Sequence, residues 1–127
     1  FVTNGIGHAK KLTHLGFTVH ILGGEFKLET EAIVGEETLI ALDKYNFTKG
    51  FFGTNGLSRR QGYTTPDGSE ALVKKTALRQ CAKAYVLADR AKFDEVSSVT
   101  FAAYSDAQII TDSIPDHYKK YGNTIQV

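Results

Sequence analysis

The residues of this chain that could do chemistry lie in three polar segments, each placed after an apolar run or a predicted turn. The segments are residues 53–56, 62–74 and 88–93. In an open α/β sheet, ligands bind in the crevice outside the carboxyl ends of the strands. Amide, hydroxyl, carboxylate and ammonium groups at such ends suit an anionic ligand rich in hydroxyls. The pattern therefore predicts a small-molecule site at the strand ends.

The helix expected after Pro66 supplies the sharpest geometry. At ~100° per residue, one stripe of this helix carries Glu70, Lys74, Ala77 and Cys81. Because Ala77 and Cys81 are apolar, we expect the stripe to face the sheet and to bring Glu70 and Lys74 to the strand ends. The alternative is a solvated i,i+4 pair, which contributes ~0.3–0.5 kcal/mol.

Other candidates directly follow predicted strands. Lys92, close to Asp89, can neutralise a phosphate or bind a sugar hydroxyl, and the alternative is a solvated loop lysine. The amide of Asn55 offers donors and an acceptor to hydroxyls, whereas Asn55-Gly56 also suits an ordinary turn.

The beginning of the chain contains a second set of candidates. Thr3 and Asn4 end the first predicted strand and could bind hydroxyls in the same way. Gly23-Gly24 permits either close backbone approach to a ligand or a tight bend, and Lys27 follows it.

Two enzyme chemistries remain as alternatives. Gly5-Ile6-Gly7 opens a helix after a strand and Glu25 follows, as in a dinucleotide fingerprint, but Lys10 occupies a Gly or Ala position of that fingerprint. Glu70, Lys74 and Lys92 could transfer protons next to a carbonyl, as sugar-phosphate isomerases require.

The sequence does not favour a metal site or a serine or cysteine nucleophile. The His residues lack metal-ligand spacing and no G-x-S-x-G motif is present. Cys81, expected inside a buried helix face, is a poor nucleophile. We therefore expect no metal and no cofactor.

Composition indicates one domain. The 127 residues carry 15 Lys and Arg against 14 Asp and Glu, a net charge of +1, with the basic pairs separated by acidic residues. This does not predict a DNA-binding surface. No apolar run is long enough for a membrane helix, no signal peptide is apparent, and the lone Cys81 fits a cytoplasmic location. Both ends of the chain look like strands, so we expect a fragment of a longer protein.

The hydrophobic pattern alternates strands with helices. Helices are predicted over residues 5–15, 36–42 and 67–83, with a short one from 113 or 116 to 122. Strands are predicted over residues 1–3, 17–22, 49–52, 84–88, 99–102, 108–111 and 124–127. Residues 25–33 are expected to be irregular or a small hairpin, and 58–67 a loop. This order predicts βαβ units and a mostly parallel sheet covered on both faces.

In order, these segments resemble the C-terminal sensor domain of DeoR-family bacterial transcriptional repressors over nearly the whole chain. The matching segments are Val2-Thr3-Asn4; Ile21-Leu22-Gly23-Gly24 with Lys27; Ile33-Val34-Gly35; Phe51-Phe52-Gly53-Thr54-Asn55-Gly56; Gly62-Tyr63-Thr64-Thr65-Pro66-Asp67 with Glu70 and Lys74; Val86-Leu87-Ala88-Asp89 with Lys92-Phe93; and Ile109-Ile110-Thr111-Asp112. The form of residues 53–56 is most similar to repressors of fructose or lactose catabolism.

The resemblance implies a three-layer, Rossmann-like α/β fold similar to ribose-5-phosphate isomerase and NagB-like sugar-phosphate enzymes. It implies that residues 1–127 form a single effector-binding domain, without enzymatic activity, in a cytoplasmic homo-oligomer that does not bind membranes. A phosphate-binding loop and a helix-turn-helix domain for operator DNA would precede Phe1. The effector would be a phosphorylated sugar, for example one like fructose 1-phosphate. The implied effector-binding residues are Thr3, Asn4, Gly23, Gly24, Lys27, Asn55, Gly56, Thr65, Glu70, Lys74, Asp89 and Lys92.

Three positions depart from the family pattern. Lys27 replaces the usual Arg and gives up bidentate phosphate geometry. Asn55 replaces a frequent Asp, which removes a potential carboxylate base and weakens the isomerase alternative. Arg90-Ala91 replaces the usual Ser-Ser before Lys92, which adds a positive charge.

Overall fold

The computed structural model describes residues 1–127 and divides into two units, Phe1–Tyr45 and Asn46–Val127. The first unit contains, in chain order, β1 (Val2–Thr3), α1 (Ile6–His14), β2 (His20–Ile21), β3 (Glu25–Lys27), β4 (Ala32–Val34) and α2 (Glu36–Asp43). Strands β1 and β2 are parallel and flank α1 in the chain, which makes a βαβ unit. Strands β3 and β4 form an antiparallel hairpin, so the small hairpin considered for residues 25–33 is present.

The second unit contains both sheet types. Its elements are β5 (Phe47–Gly53), β6 (Gly56–Ser58), β7 (Gly62–Thr65), α3 (Gly68–Arg79), β8 (Cys81–Leu87), β9 (Val99–Ala102), β10 (Gln108–Thr111) and β11 (Thr124–Gln126). Four strands form a parallel sheet in the order β11-β10-β8-β5. The predicted α/β class with a mostly parallel sheet is therefore confirmed.

A three-stranded antiparallel sheet replaces the loop predicted for residues 58–67. It has the order β6-β7-β9, and Gly56 pairs with Thr64 while Ser58 pairs with Gly62. The loop was predicted from the turn residues Gly62 and Pro66. That prediction was wrong because residues 63–65 pair with a strand, β9, much later in the chain. Gly62 closes the hairpin with φ +72°, and a Cβ there would collide with the carbonyl oxygen of Ala102.

Helix α3 is shorter than predicted. It ends at Arg79, with Gln80 as its C-cap, and Cys81 begins β8 by pairing with Phe47. Cys81 is therefore half-buried at a strand start rather than inside a helix, although its thiol still contacts the Ala77 carbonyl oxygen at 3.2 Å. Sheet pairing outweighs the helix propensity of the residues that follow.

Smaller differences affect three other elements. The strand expected over residues 17–22 is ordered as a strand only at His20–Ile21, and the strand expected over 84–88 begins earlier. The short helix near the end is a 3-10 helix, Asp116–Tyr121, which Gly122 ends in a left-handed conformation.

The core of the second unit lies between its two sheets and the turns that join them. Leu57, Tyr63, Val86 and Ile109 are fully buried. The Tyr63 hydroxyl lies 3.1 Å from the carbonyl oxygens of Tyr104 and Ala107, and burial raises its pKa well above its usual range. The hairpin is thereby fixed to the 3-10 turn at Tyr104–Asp106.

Candidate functional site

The open end of the β6–β7 hairpin carries the first group of predicted site residues. Thr65 donates a hydrogen bond from its hydroxyl to the Asn55 side-chain oxygen at 3.1 Å. Asn55 is exposed, whereas Thr65 and its neighbour Thr64 are fully buried. The structure thus brings Asn55 and Thr65 together and leaves the Asn55 amide group at the surface.

A hydroxyl network supports this end of the hairpin. Thr54 Oγ1 donates to the Gly56 carbonyl oxygen at 2.7 Å and lies 3.0 Å from that of Thr64. Thr64 Oγ1 lies 3.2 Å from the same Gly56 oxygen and accepts the Ser97 N–H at 2.9 Å. A Cβ on Gly56 would collide with the backbone of Glu95. The small size of Gly56 is therefore explained by packing.

Lys74 lies at the carboxyl end of β5. Its ammonium group donates to the Gly53 carbonyl oxygen at 2.8 Å and lies 5.2 Å from the centre of the Phe101 ring. Burial lowers the pKa of Lys74, while the charge of Glu70 acts in the opposite direction. The structure therefore places a partly desolvated cation at a strand end, where the helical stripe predicted it.

Glu70 occupies the first turn of α3. Its backbone N–H is accepted by the side chain of the N-cap residue Asp67 at 2.9 Å. An acidic side chain in a first turn is also favoured by the helix dipole. Glu70 and Lys74 share a helix face, as predicted, although Cys81 does not continue that face.

Asp89 and Lys92 lie in the turn that follows β8. Asp89 caps the 3-10 helix Arg90–Lys92 by accepting the Ala91 N–H at 3.0 Å. Lys92 is half-buried. Because Leu87, at the end of β8, pairs with Gly53, this turn leaves the same edge of the sheet that Lys74 contacts.

Asp112 and Ser113, which follow β10, bind the turn after β8, and they were not among the residues predicted from the sequence. Asp112 accepts the Arg90 N–H at 3.2 Å, and the Arg90 guanidinium donates to the Ser113 hydroxyl at 3.2 Å. Both residues come directly after a buried strand, so the rule that selected Asn55 and Asp89 would also have selected them.

In the first unit, three of the predicted site residues form hydrogen bonds within that unit. Thr3 Oγ1 accepts the Gly5 N–H at 3.1 Å, and Asn4 Nδ2 donates to the Ile33 carbonyl oxygen at 2.9 Å. The Gly23 carbonyl oxygen accepts the Thr38 hydroxyl at 2.6 Å.

The remaining two candidates in this unit are Gly24, which precedes β3, and Lys27, which ends it. Gly24 has φ +143°, and a Cβ there would collide with Thr38 and Val34. This requirement supports the tight-bend interpretation of Gly23-Gly24. Lys27 is half-buried in β3.

No group of three His, Cys, Asp or Glu residues could bind a metal ion. None of the helices has both the length and the apolar character needed to cross a membrane.

Comparison with known proteins assigns the family. The family model described as the DeoR C-terminal sensor domain matches residues 1–113. The chain is 48% identical over 110 residues to the uncharacterized HTH-type transcriptional regulator FruR of Bacillus subtilis, covering 87% of this chain and 44% of FruR. It is 33% identical over 109 residues to the regulator IolR of B. subtilis, covering 84% and 43% of the two chains.

A third relative is named as a repressor. The lactose phosphotransferase system repressor of Streptococcus mutans is 36% identical over 101 residues, covering 79% of this chain and 40% of the repressor. The chain thus spans less than half the length of these relatives. They are transcriptional regulators rather than enzymes, in agreement with the expected absence of enzymatic activity. The predicted resemblance is confirmed, and the chain belongs to the DeoR C-terminal sensor domain family.

Proposed function

We propose that this chain senses a phosphorylated sugar for a transcriptional repressor of carbohydrate metabolism, and that effector binding relieves repression. The family and the names of the relatives support the regulatory part of the proposal. The observation that carries the effector part is the position of Lys74, a partly desolvated cation at the end of β5.

The charge at this sheet edge favours a phosphate. Burial makes the ammonium form of Lys74 less stable than it is in water, and a phosphate dianion nearby would offset that cost. Lys92 follows the adjacent strand, so it supplies a second cation to the same edge. We assign the phosphate to Lys74 and Lys92.

The sugar hydroxyls require groups that donate and accept hydrogen bonds. Glu70 accepts them, and the Asn55 amide donates them from the surface of the hairpin end. Effector contacts by Thr3, Asn4, Gly23, Gly24 and Lys27 stay predictions, as do those by Gly56, Thr65 and Asp89.

Relief of repression requires that the effector bind two states of the whole protein with different affinity. In this proposal the whole protein is a cytoplasmic homo-oligomer and binds operator DNA through a helix-turn-helix region outside these residues. Residues 1–127 act as the effector-binding domain, and the effector changes the fraction of protein that is competent to bind DNA.

A thermal-shift panel on the full-length protein tests the proposal. Sugar phosphates, including fructose 1-phosphate, are compared with the unphosphorylated sugars. A ligand at 100 times its Kd should stabilise the folded state by about 2.7 kcal/mol. Lys74→Ala and Glu70→Ala should abolish most of the shift, whereas Lys11→Ala, an exposed cation on α1, should retain it. Silence of every sugar phosphate, or an unchanged shift in Lys74→Ala, would contradict the assigned site.

A further inference from the structure

A surface depression lies at the turn end of the β6–β7 hairpin, away from the predicted effector residues. It has a volume of about 550 Å³ and is lined by the hairpin-turn residues Arg59, Arg60 and Gln61 and by Tyr104 and Ser105. None of the residues predicted to bind the effector lines it. We propose that this depression is a second anion site, which binds the phosphate of a small phosphorylated molecule through Arg59 and Arg60.

The guanidinium group of Arg59 is positioned in advance by aromatic rings. Its Cζ atom lies 3.8 Å from the centre of the Tyr121 ring and 5.1 Å from that of Tyr104. Tyr104 is itself fixed, because its hydroxyl donates to the Asn123 side-chain oxygen at 2.8 Å. Stacking orients the planar fork of an arginine and leaves its N–H groups free for a bidentate contact with phosphate.

A second depression adds to the positive charge. It is about 220 Å³ in volume, shares Thr100 and Ala103 with the first, and is lined by Lys75 and Arg79 of α3. In the sequence these two cations are separate from Arg59-Arg60, and the net charge of the chain is only +1. The fold therefore concentrates four exposed cations around the end of β9.

Little negative charge opposes these cations. None of them forms an ion pair with a carboxylate within 4.0 Å. The one carboxylate that lines either depression, Asp106, accepts the Ala103 N–H at 2.9 Å. A cluster of unpaired cations raises the local concentration of anions, so the depression is electrostatically prepared for a dianion.

The shape favours a small molecule over nucleic acid. Pockets for small ligands usually occupy about 300–1,000 Å³, a range that includes the first depression. Binding to a duplex instead depends on a longer row of phosphate contacts. Arg59 and Arg60 are adjacent in one turn, which suits a single phosphate group.

Backbone NMR shifts during titration with inorganic phosphate, at an ionic strength held constant with NaCl, test this site. We expect saturable shifts at the amides of Arg60, Gln61 and Ser105. Arg60→Ala should weaken the apparent affinity by about tenfold or more, and Arg59→Ala should do the same. Lys11→Ala is the matched control and should bind phosphate with unchanged affinity.

Arg60→Ala is the decisive variant, because Arg60 is exposed and its side chain makes no hydrogen bond or ion pair, whereas Arg59→Ala removes ring contacts. Linear shifts, or equal affinity in Arg60→Ala and Lys11→Ala, would overturn the site. Shifts confined to Lys74 and Lys92 would also overturn it while supporting the effector site. If a DNA duplex of arbitrary sequence shifted the same amides at lower concentration than phosphate, the small-molecule assignment would be replaced by nucleic acid.

Discussion

The two ends of the β6–β7 hairpin are built from different interactions. At the open end, Thr54 and Thr64 share the Gly56 carbonyl oxygen through buried hydroxyls. At the turn end, Arg59 stacks on aromatic rings, and Tyr104 packs against Tyr63 at 6.1 Å between ring centres. A buried polar network loses stability when any one partner is removed, whereas aromatic packing depends on shape. The open end should therefore lose stability when single polar atoms are removed, and the turn end when side-chain volume is added.

The largest effect is expected from volume added next to the turn. Gly62→Ala places a Cβ against the Ala102 carbonyl oxygen and forces alanine into a φ of +72°. Overpacking and backbone strain together should lower the free energy of unfolding by about 3 kcal/mol or more. Urea denaturation measures this. Gly68→Ala is the control, because a Cβ there meets open space at the start of α3. An equal loss in both variants would remove the steric explanation.

Removal of one hydroxyl at the open end should have the next largest effect. Thr64→Val keeps the shape but leaves the Ser97 N–H without its acceptor. A buried unsatisfied donor costs about 1–3 kcal/mol. The exposed Thr48→Val on β5 should change stability by no more than about 0.5 kcal/mol. If Thr64→Val were as stable as Thr48→Val, the open end would not depend on its hydroxyl network.

The smallest effect concerns an exposed carboxylate next to the aromatic cluster. The Tyr118 hydroxyl donates to Asp94 at 2.8 Å, and His117 contacts the other carboxylate oxygen at 2.7 Å. The Tyr118 hydrogen bond is the main cause that lowers the pKa of Asp94 below its ordinary value of 3.8. Tyr118→Phe should cost about 1 kcal/mol at neutral pH.

The lowered pKa of Asp94 makes the stability of the protein depend on pH. A carboxylate with a lowered folded pKa contributes stability that is complete above its unfolded pKa and is lost as the pH falls through the folded value. Wild type should therefore lose this contribution below about pH 4, and Tyr118→Phe should lose less. Thermal midpoints between pH 2 and 7 measure the difference. Parallel pH profiles for the two proteins would show that the hydrogen bond does not control Asp94.

The same two ends show what could be predicted from the sequence. The parallel strands were recognisable because their apolar runs are local. The strand-end rule placed Asn55 after β5, and the helical stripe placed Lys74 beside the end of that strand. The β6–β7 hairpin was missed because Gly62 indicates a turn, whereas β7 is completed as a strand by pairing with β9, much later in the chain. The stacking of Arg59 on Tyr121 was equally invisible, since the two residues are far apart in the sequence. The local sequence pattern identifies which polar residues follow strands. Whether those residues bind other protein groups or stay open to a ligand depends on contacts between distant segments.

The segment between Phe93 and Ser97 has no regular secondary structure, yet its backbone is attached to the hairpin at two points. The Asp94 N–H is accepted by the Leu57 carbonyl oxygen at 2.8 Å, and the Ser97 N–H by Thr64. The number of residues between the two attachments is therefore fixed more strictly than their identity. An insertion or deletion between Asp94 and Ser97 should break one of these two hydrogen bonds and destabilise the fold. A substitution of the exposed Val96 should change stability little.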